Sequence, residues 1–347
     1  MSLTAYRALG RSGLAVSPLA LGTMTFGNSA WGSADAVSRS IFDAYVEAGG
    51  NFVDTADVYS GGRSEELLGR FIAECNLRDK VVLATKCGFN AEPGNPHAGG
   101  NGAKNIHRAL DASLKRLRTD HIDLYWTHVY DMVTPIEEVL QTLSGLVRSG
   151  KIRYFGFSNI PAWYATRAAT LAQARGAPGP IALQMEYSLV ARGIEREHVP
   201  GAVECGLGIV AWSPLAGGFL ASKYAREGQG AAGQGRLSGA NPFQGQFTKF
   251  TERNWRVLDA LTAVSAELDR PPAQVALAWA AAQPGIASLL LGASRIEQLH
   301  GNLASLEVSL SPEQIKKLDG ASALDQAFFT PQLQRMIFGG AAVQRWR

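Results

Sequence analysis

The chain has 347 residues, of which 33 are lysine or arginine and 30 are aspartate or glutamate, so its formal net charge is only +3. This balance gives no indication of a nucleic-acid partner, and 46% hydrophobic residues are typical of a globular protein with a sizeable core. The sequence contains neither an apolar run long enough to span a bilayer nor an N-terminal secretory signal, so we expect no membrane insertion and a cytoplasmic location.

The predicted elements begin with residues 1–18, whose Gly-Arg-Ser-Gly turn predicts a β-hairpin that caps the bottom of the following domain. Short β-rich runs come next, and their continuous hydrophobicity is typical of strands covered on both faces. These runs lie at 19–24, 51–56, 81–86, 121–128, 154–159, 181–186, 208–213 and 288–294.

Segments with helical periodicity separate the strands. One of them starts at Thr134, where Pro135 and Glu137 complete a predicted capping box with proline at the first helical position, and it ends at Gly150. The alternation of strand and helix over 1–347 predicts one (β/α)₈ TIM barrel, with 320–347 as a tail over or near its mouth. An open doubly wound sheet would show the same local pattern.

Two glycine-rich connections, 88–104 and 216–247, are long enough to serve as active-site loops. Within the second, 228–233 reads "GQGAAG" and matches a dinucleotide-binding fingerprint. Because no strand precedes it and no helix follows it, we interpret it as an ordinary loop.

The three cysteines, Cys75, Cys87 and Cys205, are widely separated and have no metal-ligand spacing. We therefore predict no disulfide framework and no metal site, and we expect all three to be buried thiols.

Polar residues recur where the predicted strands end. In a barrel these ends form the active-site face, so the side chains should converge. Each one alone has an ordinary explanation, such as a helix cap for Asp54 or a core position for His128, but their recurrence favours one shared site. The strand ends carry Asp54, Lys86, His128, Ser158, Asn159, Gln184, Trp212, Ser213 and 292–295.

The first of these residues suggest a chemistry for "NFVDTADVY", residues 51–59. A tyrosine with its ordinary pKa of about 10 is a weak acid at neutral pH, but an adjacent ammonium stabilises tyrosinate. Lys86, held by Asp54, could supply that charge, so that Tyr59 donates a proton to a carbonyl oxygen that His128 orients. This assembly suits reduction of a carbonyl by hydride.

Several motifs, in order, resemble those of the aldo-keto reductases from about residue 5 to 320, most closely the branch that contains potassium channel β subunits and many bacterial reductases. They read "GGNFVDTADVYSGGRSEELLG", "LATK", "IDLYWTH", "GKIRYFGFSN", "QMEYSL", "AWSPLAGG" and "LLLGASRIEQLHGNL". The resemblance implies that Asp54, Tyr59, Lys86 and His128 form the catalytic tetrad.

The resemblance also implies an NADPH site, with NADH as the less favoured cofactor. Ser158, Asn159 and Gln184 would hold the nicotinamide carboxamide, and Trp212 would stack on its ring. A serine and an arginine at the adenosine end would suit the 2′-phosphate of NADPH. The other implied cofactor residues are Gly22, Thr23, Met24, Ser213, Pro214, Leu215, Gly217, Lys223, Arg236, Gly292, Ser294, Arg295, Gln298 and Asn302.

Some positions depart from the resemblance. Gly301 stands where related sequences often have glutamate beside the adenine-binding asparagine, and Met185 and Trp126 are less usual than polar residues. These departures bear on substrate polarity and cofactor preference but not on the tetrad.

Two functions remain open. The favoured one is an NADPH-dependent aldo-keto reductase acting reversibly on a small-molecule substrate, an aldehyde, ketone or alcohol, and the alternative is a cofactor-binding regulatory module with little turnover. We expect the substrate pocket to involve Met24, Trp126, the 88–104 loop and the segment 328–340. The sequence leaves homo-oligomerisation open.

Overall fold

Eight parallel strands close into a barrel in the computed structural model, which describes residues 1–224, 226, 237, 249–324 and 330–343. A separate antiparallel pair, β1 (Arg7–Ala8) and β2 (Ala15–Val16), precedes it. The barrel strands are β3 (Leu19–Gly22), β4 (Phe52–Asp54), β5 (Val82–Cys87), β6 (Ile122–Thr127), β7 (Ile152–Ser158), β8 (Ala182–Glu186), β9 (Gly208–Trp212) and β10 (Ile286–Leu291).

Helices connect the strands and surround the barrel. Those before β9 are α1 (Asp35–Glu47), α2 (Arg63–Glu74), α3 (Ala103–Leu117), α4 (Ile136–Arg148), α5 (Ala162–Ala174) and α6 (His198–Cys205). Those after β9 are α7 (Glu252–Leu268), α8 (Pro272–Ala281), α9 (Ile296–Leu303), α10 (Pro312–Ala321) and α11 (Pro331–Ile337).

The predicted barrel is confirmed. Each β-rich run overlaps a strand, each strand pairs in parallel with its neighbour in the chain, and β10 pairs with β3 to complete the circle. This closure rules out the open doubly wound sheet, in which the edge strands would remain unpaired.

The barrel has two layers of core because side chains alternate along each strand. One set of buried residues fills the interior, and its members include Phe52, Ala84, Trp126 and Val210. Their neighbours in sequence point outward and pack with helix residues in a larger cluster that includes Val53 and Leu83. Both faces of each strand are therefore buried, which explains the continuous hydrophobic runs.

The predicted N-terminal hairpin is present, and it lies against the starts of the barrel strands. Leu9 and Val16 are fully buried in the interior cluster. Gly10 has φ +62°, and a Cβ there would stand 2.3 Å from the backbone oxygen of Ile181 and 2.7 Å from that of Gly206. Only glycine fits this close approach.

The predicted capping box at Thr134 is wrong. The helix α4 begins at Ile136 with Pro135 as its N-cap residue and no side-chain cap. The Thr134 hydroxyl instead donates to Oδ2 of Asp131 at 2.6 Å, and the backbone N–H of Thr134 donates to Oδ1 of Asp131 at 3.0 Å. The Thr134 hydroxyl is therefore bound to Asp131 and does not cap α4.

The prediction that all three cysteines are buried is correct only for Cys87. Cys75 and Cys205 are partly exposed, because each lies at the C-terminal end of a surface helix where the chain turns away from the core. The stretch 228–233 lies outside the described residues. None of the helices in the described part of the chain combines the length and apolarity needed to span a membrane.

Replacing Gly156 in β7 by alanine is expected to lower the free energy of unfolding by about 1–3 kcal/mol, because an added methyl group strains a packed core. A Cβ at Gly156 would stand 2.4 Å from Cζ3 of Trp126 and 2.6 Å from the backbone oxygen of Ala182. Urea unfolding followed by tryptophan fluorescence measures the change.

Gly145→Ala in α4 is the matched control. Among the described residues no atom lies within 4 Å of a Cβ added at Gly145. Because alanine favours a helix over glycine by about 1 kcal/mol, stability should not fall. Equal destabilisation by the two substitutions would contradict the packing argument.

Candidate functional site

The candidate site lies at the mouth of the barrel, directly above the apolar side chains that fill the barrel interior. Two residues after each interior-facing residue, the same face of the strand carries a polar or aromatic side chain at the barrel mouth. The pairs of interior residue and mouth residue are Phe52 with Asp54, Ala84 with Lys86, Trp126 with His128, Gly156 with Ser158, Ala182 with Gln184, and Val210 with Trp212.

The ammonium of Lys86 organises the centre of this mouth. Lys86 Nζ forms an ion pair with Oδ1 of Asp54, donates to the backbone oxygen of Thr55 at 2.7 Å, and donates to the Tyr59 hydroxyl at 3.4 Å. Gln184 Nε2 donates to the other carboxylate oxygen, Oδ2 of Asp54, at 2.9 Å. Three strands and the loop after β4 thus meet at one fully buried charge.

The ion pair keeps Lys86 charged in spite of its surroundings. Burial alone would lower the pKa of Lys86, but the Asp54 carboxylate outweighs this effect, and the pKa lies above its usual value. The side chain of Lys86 is fully buried and that of Asp54 is 2% exposed, so neither charge can be compensated by bulk water. A fixed positive charge therefore stands beside the Tyr59 hydroxyl.

His128 has the opposite electrostatic character. Burial, reinforced by the positive charge of Lys86, holds the pKa of His128 well below its ordinary value, so the imidazole is neutral at physiological pH. Its ring centroid lies 5.8 Å from that of Tyr59 and 4.8 Å from that of Phe89, both in edge-to-face geometry. A neutral imidazole can donate one hydrogen bond without adding a second cation to the site.

The turn that carries Tyr59 depends on a left-handed backbone. Ser60, Gly61 and Gly62 all have positive φ, and the Ser60 hydroxyl donates to the backbone oxygen of Phe26 at 2.8 Å. A Cβ at Gly62 would stand 2.9 Å from Cδ of Arg116. The glycine lets α3 support the turn from behind, which fixes the position of the tyrosine.

Behind the site lies an acidic pair that the sequence interpretation missed. Burial and the charge of Glu65 raise the pKa of Asp57 to about 7. Glu65 is fully buried; it accepts from the Thr85 hydroxyl at 2.5 Å and from Nε of Arg116 at 2.6 Å. The available signal was the two acids in "DTADVYSGGRSEE", which flank Tyr59, but their partners are distant in sequence.

The ends of β7, β8 and β9 are tied together by Asn159, which has φ +50°. Asn159 Nδ2 donates to the backbone oxygen of His128 and to the Ser158 hydroxyl, both at 3.0 Å. Trp212 Nε1 donates to Oδ1 of Asn159 at 3.0 Å, and the backbone N–H of Asn159 donates to the oxygen of Gln184 at 3.2 Å. The predicted nicotinamide residues therefore form one connected group.

The loop after β3 reaches the same mouth. The Thr23 hydroxyl donates to the backbone oxygen of Asp54 at 3.1 Å and is itself buried, whereas Gly22 and Met24 are partly exposed. Thr25 donates to the backbone oxygen of Ala293 at 2.8 Å, which joins this loop to the one after β10.

The loop after β9 is a chain of tight turns. Ser213, Ala216, Gly217 and Gly218 have positive φ, and the Tyr224 hydroxyl donates to the backbone oxygen of Gly217 at 3.0 Å. Pro214 is buried there, and Leu215 is partly exposed.

Two cations approach each other across the loops after β9 and β10. Partial burial of the ammonium and the charge of Arg295 lower the pKa of Lys223. Arg295 is the exposed N-cap residue of α9. A bound anion would offset the repulsion between these two like charges. The predicted Arg236 lies outside the described residues.

The predicted adenosine residues lie just before α9 and along it. The backbone N–H and the hydroxyl of Ser294 both donate to Oε1 of Gln298, at 3.0 and 3.2 Å. Gly292 is exposed, and Asn302 is buried on the same helix. Gly301 beside it is partly exposed, with open space around its Cα among the described residues.

Trp126 does not line the mouth, so the expectation for this residue is wrong. Its side chain is fully buried in the barrel interior, below His128 on the same strand face. Phe89, in the predicted 88–104 loop, packs edge-to-face with His128 at the mouth, and it is 46% exposed. Residues 328 and 329 of the predicted C-terminal pocket segment lie outside the described residues.

Comparisons with known proteins identify the family of the chain. The model of the "Aldo/keto reductase family" matches residues 18–323. An uncharacterized oxidoreductase of Bacillus subtilis is 37% identical over 325 residues, covering 90% of this chain and 94% of the relative. An aryl-alcohol dehydrogenase [NADP(+)] of Phanerodontia chrysosporium is 33% identical over 331 residues, covering 91% and 85% of the two chains.

A third relative is a probable voltage-gated potassium channel subunit beta of Oryza sativa, 34% identical over 319 residues and covering 90% of this chain and 95% of its own. The family model covers nearly the whole barrel, and relatives named as oxidoreductase and dehydrogenase match over most of their length. The chain therefore belongs to the aldo/keto reductase family and is an oxidoreductase that acts on carbonyl or alcohol groups.

Proposed function

We propose that the protein is an NADPH-dependent reductase of aldehydes or ketones, reversible toward the alcohol, in which Tyr59 is the general acid. The observation that carries this proposal is the position of the Lys86 ammonium, bonded at once to Asp54 and to the Tyr59 hydroxyl. When Tyr59 gives its proton to the carbonyl oxygen, the negative charge left on the phenolate is stabilised by this ammonium.

The other two members of the tetrad have distinct roles. The carboxylate of Asp54 holds Lys86 charged and oriented, and Gln184 holds Asp54 in turn. His128 is neutral, so it can donate a hydrogen bond to the carbonyl oxygen and orient it toward Tyr59 without competing as the acid.

The residues around the mouth fit a nicotinamide dinucleotide. When bound, NADPH supplies the hydride that the carbonyl carbon receives. Trp212 offers a partly exposed aromatic face, and Ser158, Asn159 and Gln184 offer amide and hydroxyl groups for the carboxamide. Gly217 keeps the backbone of the β9 loop free of side-chain bulk where a pyrophosphate would approach.

The cation pair supports NADPH over NADH. Partial burial and the charge of Arg295 lower the pKa of Lys223, and Ser294 immediately precedes Arg295 in the chain. A 2′-phosphate would relieve the repulsion between the cations and accept from the guanidinium. The relative from Phanerodontia chrysosporium carries NADP(+) in its name.

Phe89 supports an aromatic or bulky apolar carbonyl as the substrate class. Its ring is edge-to-face with His128, and nearly half of its surface is exposed next to the proposed carbonyl-binding group. An aromatic substrate could pack on this ring while its carbonyl reached His128 and Tyr59. Relatives named as aryl-alcohol dehydrogenase and norsolorinic acid reductase are consistent with this class.

Tyr59→Phe should lower kcat for aldehyde reduction by about 10²–10⁴-fold, the usual contribution of a general acid. Cofactor binding should be nearly unchanged, because the substitution removes only one hydroxyl. Stopped-flow loss of NADPH absorbance with 4-nitrobenzaldehyde measures turnover, and fluorescence titration measures binding.

Tyr6→Phe makes the same chemical change on an exposed residue of the N-terminal segment and is the control for turnover. Wild-type turnover in Tyr59→Phe would overturn the proposed acid. The alternative, a regulatory module, gains support from the rice channel subunit. It predicts cofactor binding with negligible turnover in both directions by the unaltered protein.

Arg295→Gln should raise the Kd for NADPH by roughly tenfold or more and leave the Kd for NADH nearly unchanged, since only NADPH carries the 2′-phosphate. Arg256→Gln, in an exposed position on α7, is the charge-matched control. An equal weakening of both cofactors would place Arg295 elsewhere on the dinucleotide and contradict this assignment.

Phe89→Ala should lower kcat/KM for benzaldehyde by roughly fivefold relative to propanal, because a stacked aromatic pair contributes about 1 kcal/mol. Phe89→Leu keeps an apolar side chain but loses the ring. Its kcat/KM for benzaldehyde relative to propanal should lie between the values of the unaltered protein and Phe89→Ala. If benzaldehyde and propanal lose the same fraction of kcat/KM, Phe89 has no part in substrate selection.

A further inference from the structure

A basic groove lies between α2 and α3, behind the turn that carries Tyr59. It is a shallow depression of about 330 Å³, open to solvent, and is lined by Arg63, Glu66, Arg70, Lys115, Arg116 and Arg118. Five cations thus surround the space against one carboxylate. A volume of this size falls at the lower end of the range for small-molecule sites.

The packing of the two helices brings these charges together. A Cβ at Gly69 would stand 2.6 Å from the backbone of Leu117, so glycine lets α2 lie directly on the end of α3. Arg63, Glu66 and Arg70 share one face of α2 because they are spaced by three and four residues. That face meets the last turn of α3, which carries Lys115 and Arg116.

Part of this charge is already compensated. Arg63 pairs with Asp35 at 2.6 Å and with Glu66 at 2.9 Å. Arg116 pairs with Glu65 at 2.6 Å. These two arginines are therefore held in place by carboxylates at the edge and at the floor of the groove.

Three cations of the groove have no such partner. Among the described residues, no carboxylate lies within ion-pair distance of Arg70, Lys115 or Arg118, and Arg70 rests over the ring of Phe71 at 5.4 Å. The carboxyl end of α3 favours Lys115 and Arg116 through its helix dipole. The dipole of α3 does not account for the presence of Arg63 and Arg70 in the groove, because these residues belong to α2.

We propose that this groove is a binding site for a small phosphate-bearing anion. Uncompensated like charges in a concave space repel one another, and an anion there would turn this repulsion into attraction. Guanidinium groups match phosphate with paired hydrogen bonds, and arginines on two helices can approach one phosphate from both sides. The small size of the groove suits a phosphorylated metabolite rather than a nucleic-acid duplex.

The test is calorimetric titration with inorganic phosphate at low ionic strength. All proteins carry Lys223→Gln and Arg295→Gln, so the cation pair at the barrel mouth cannot contribute to binding. The test variant adds Arg70→Gln, Lys115→Gln and Arg118→Gln. The control adds Arg148→Gln, Arg256→Gln and Lys316→Gln, three exposed cations on other helices with the same total charge.

The background protein and the control should bind phosphate equally, and the test variant should bind at least tenfold more weakly, because charge-assisted hydrogen bonds are lost. Acetate should bind the background protein more weakly than phosphate. No phosphate binding by the background protein, or equal losses in the test variant and the control, would overturn the proposal.

Glu66→Gln in the same background should strengthen phosphate binding, whereas a misfolded variant would bind phosphate more weakly. It removes the carboxylate that lines the groove and releases Arg63 from one of its two partners. Phosphate should then bind several-fold more tightly. Unchanged or weaker binding would mean that the anion does not occupy the groove.

Discussion

The buried ion pair of Lys86 and Asp54 is the interaction on which the mouth of the barrel depends. A charge removed from water must be matched by an opposite charge and by hydrogen bonds, or it strongly destabilises the fold. Here Asp54, the backbone of Thr55 and the Tyr59 hydroxyl surround the ammonium. Gln184, 130 residues from Asp54 in sequence, completes the arrangement by binding the carboxylate. Closure of the barrel is what brings these groups within reach.

The surroundings of this ion pair set the charge of the neighbouring titratable groups. His128 is kept neutral by burial and by the neighbouring ammonium, so the centre holds one cation rather than two. Asp57 and Glu65 lie behind the Tyr59 turn, where burial and their mutual repulsion raise the pKa of Asp57. Arg116 offsets part of that negative charge through Glu65. Charge is thus balanced locally at the mouth and again in the layer behind it.

Arg116 also connects the mouth with the outer groove. One side of its guanidinium binds the buried Glu65, whose other oxygen accepts from Thr85, the neighbour of Lys86 on β5. Its side chain supports Gly62 in the Tyr59 turn and also lines the groove between α2 and α3. A single residue of α3 therefore contacts the layer behind the proposed acid and the proposed anion site. Its position depends on Gly69, which permits the two helices to pack closely.

The sequence by itself determined the strands, their alternation with helices and the row of mouth residues. Continuous apolar runs mark strands buried on both faces, and the alternation of side chains places Asp54, Lys86 and His128 above Phe52, Ala84 and Trp126. Tertiary structure alone decided barrel closure, the Asp131 turn that displaced the Thr134 cap, the burial of Trp126, and the contact of Phe89 with His128. It also decided the pairing of Glu65 with Arg116, 51 residues apart. Local periodicity reports which face of an element is buried, whereas partners and pKa shifts depend on which distant elements the packed chain brings together.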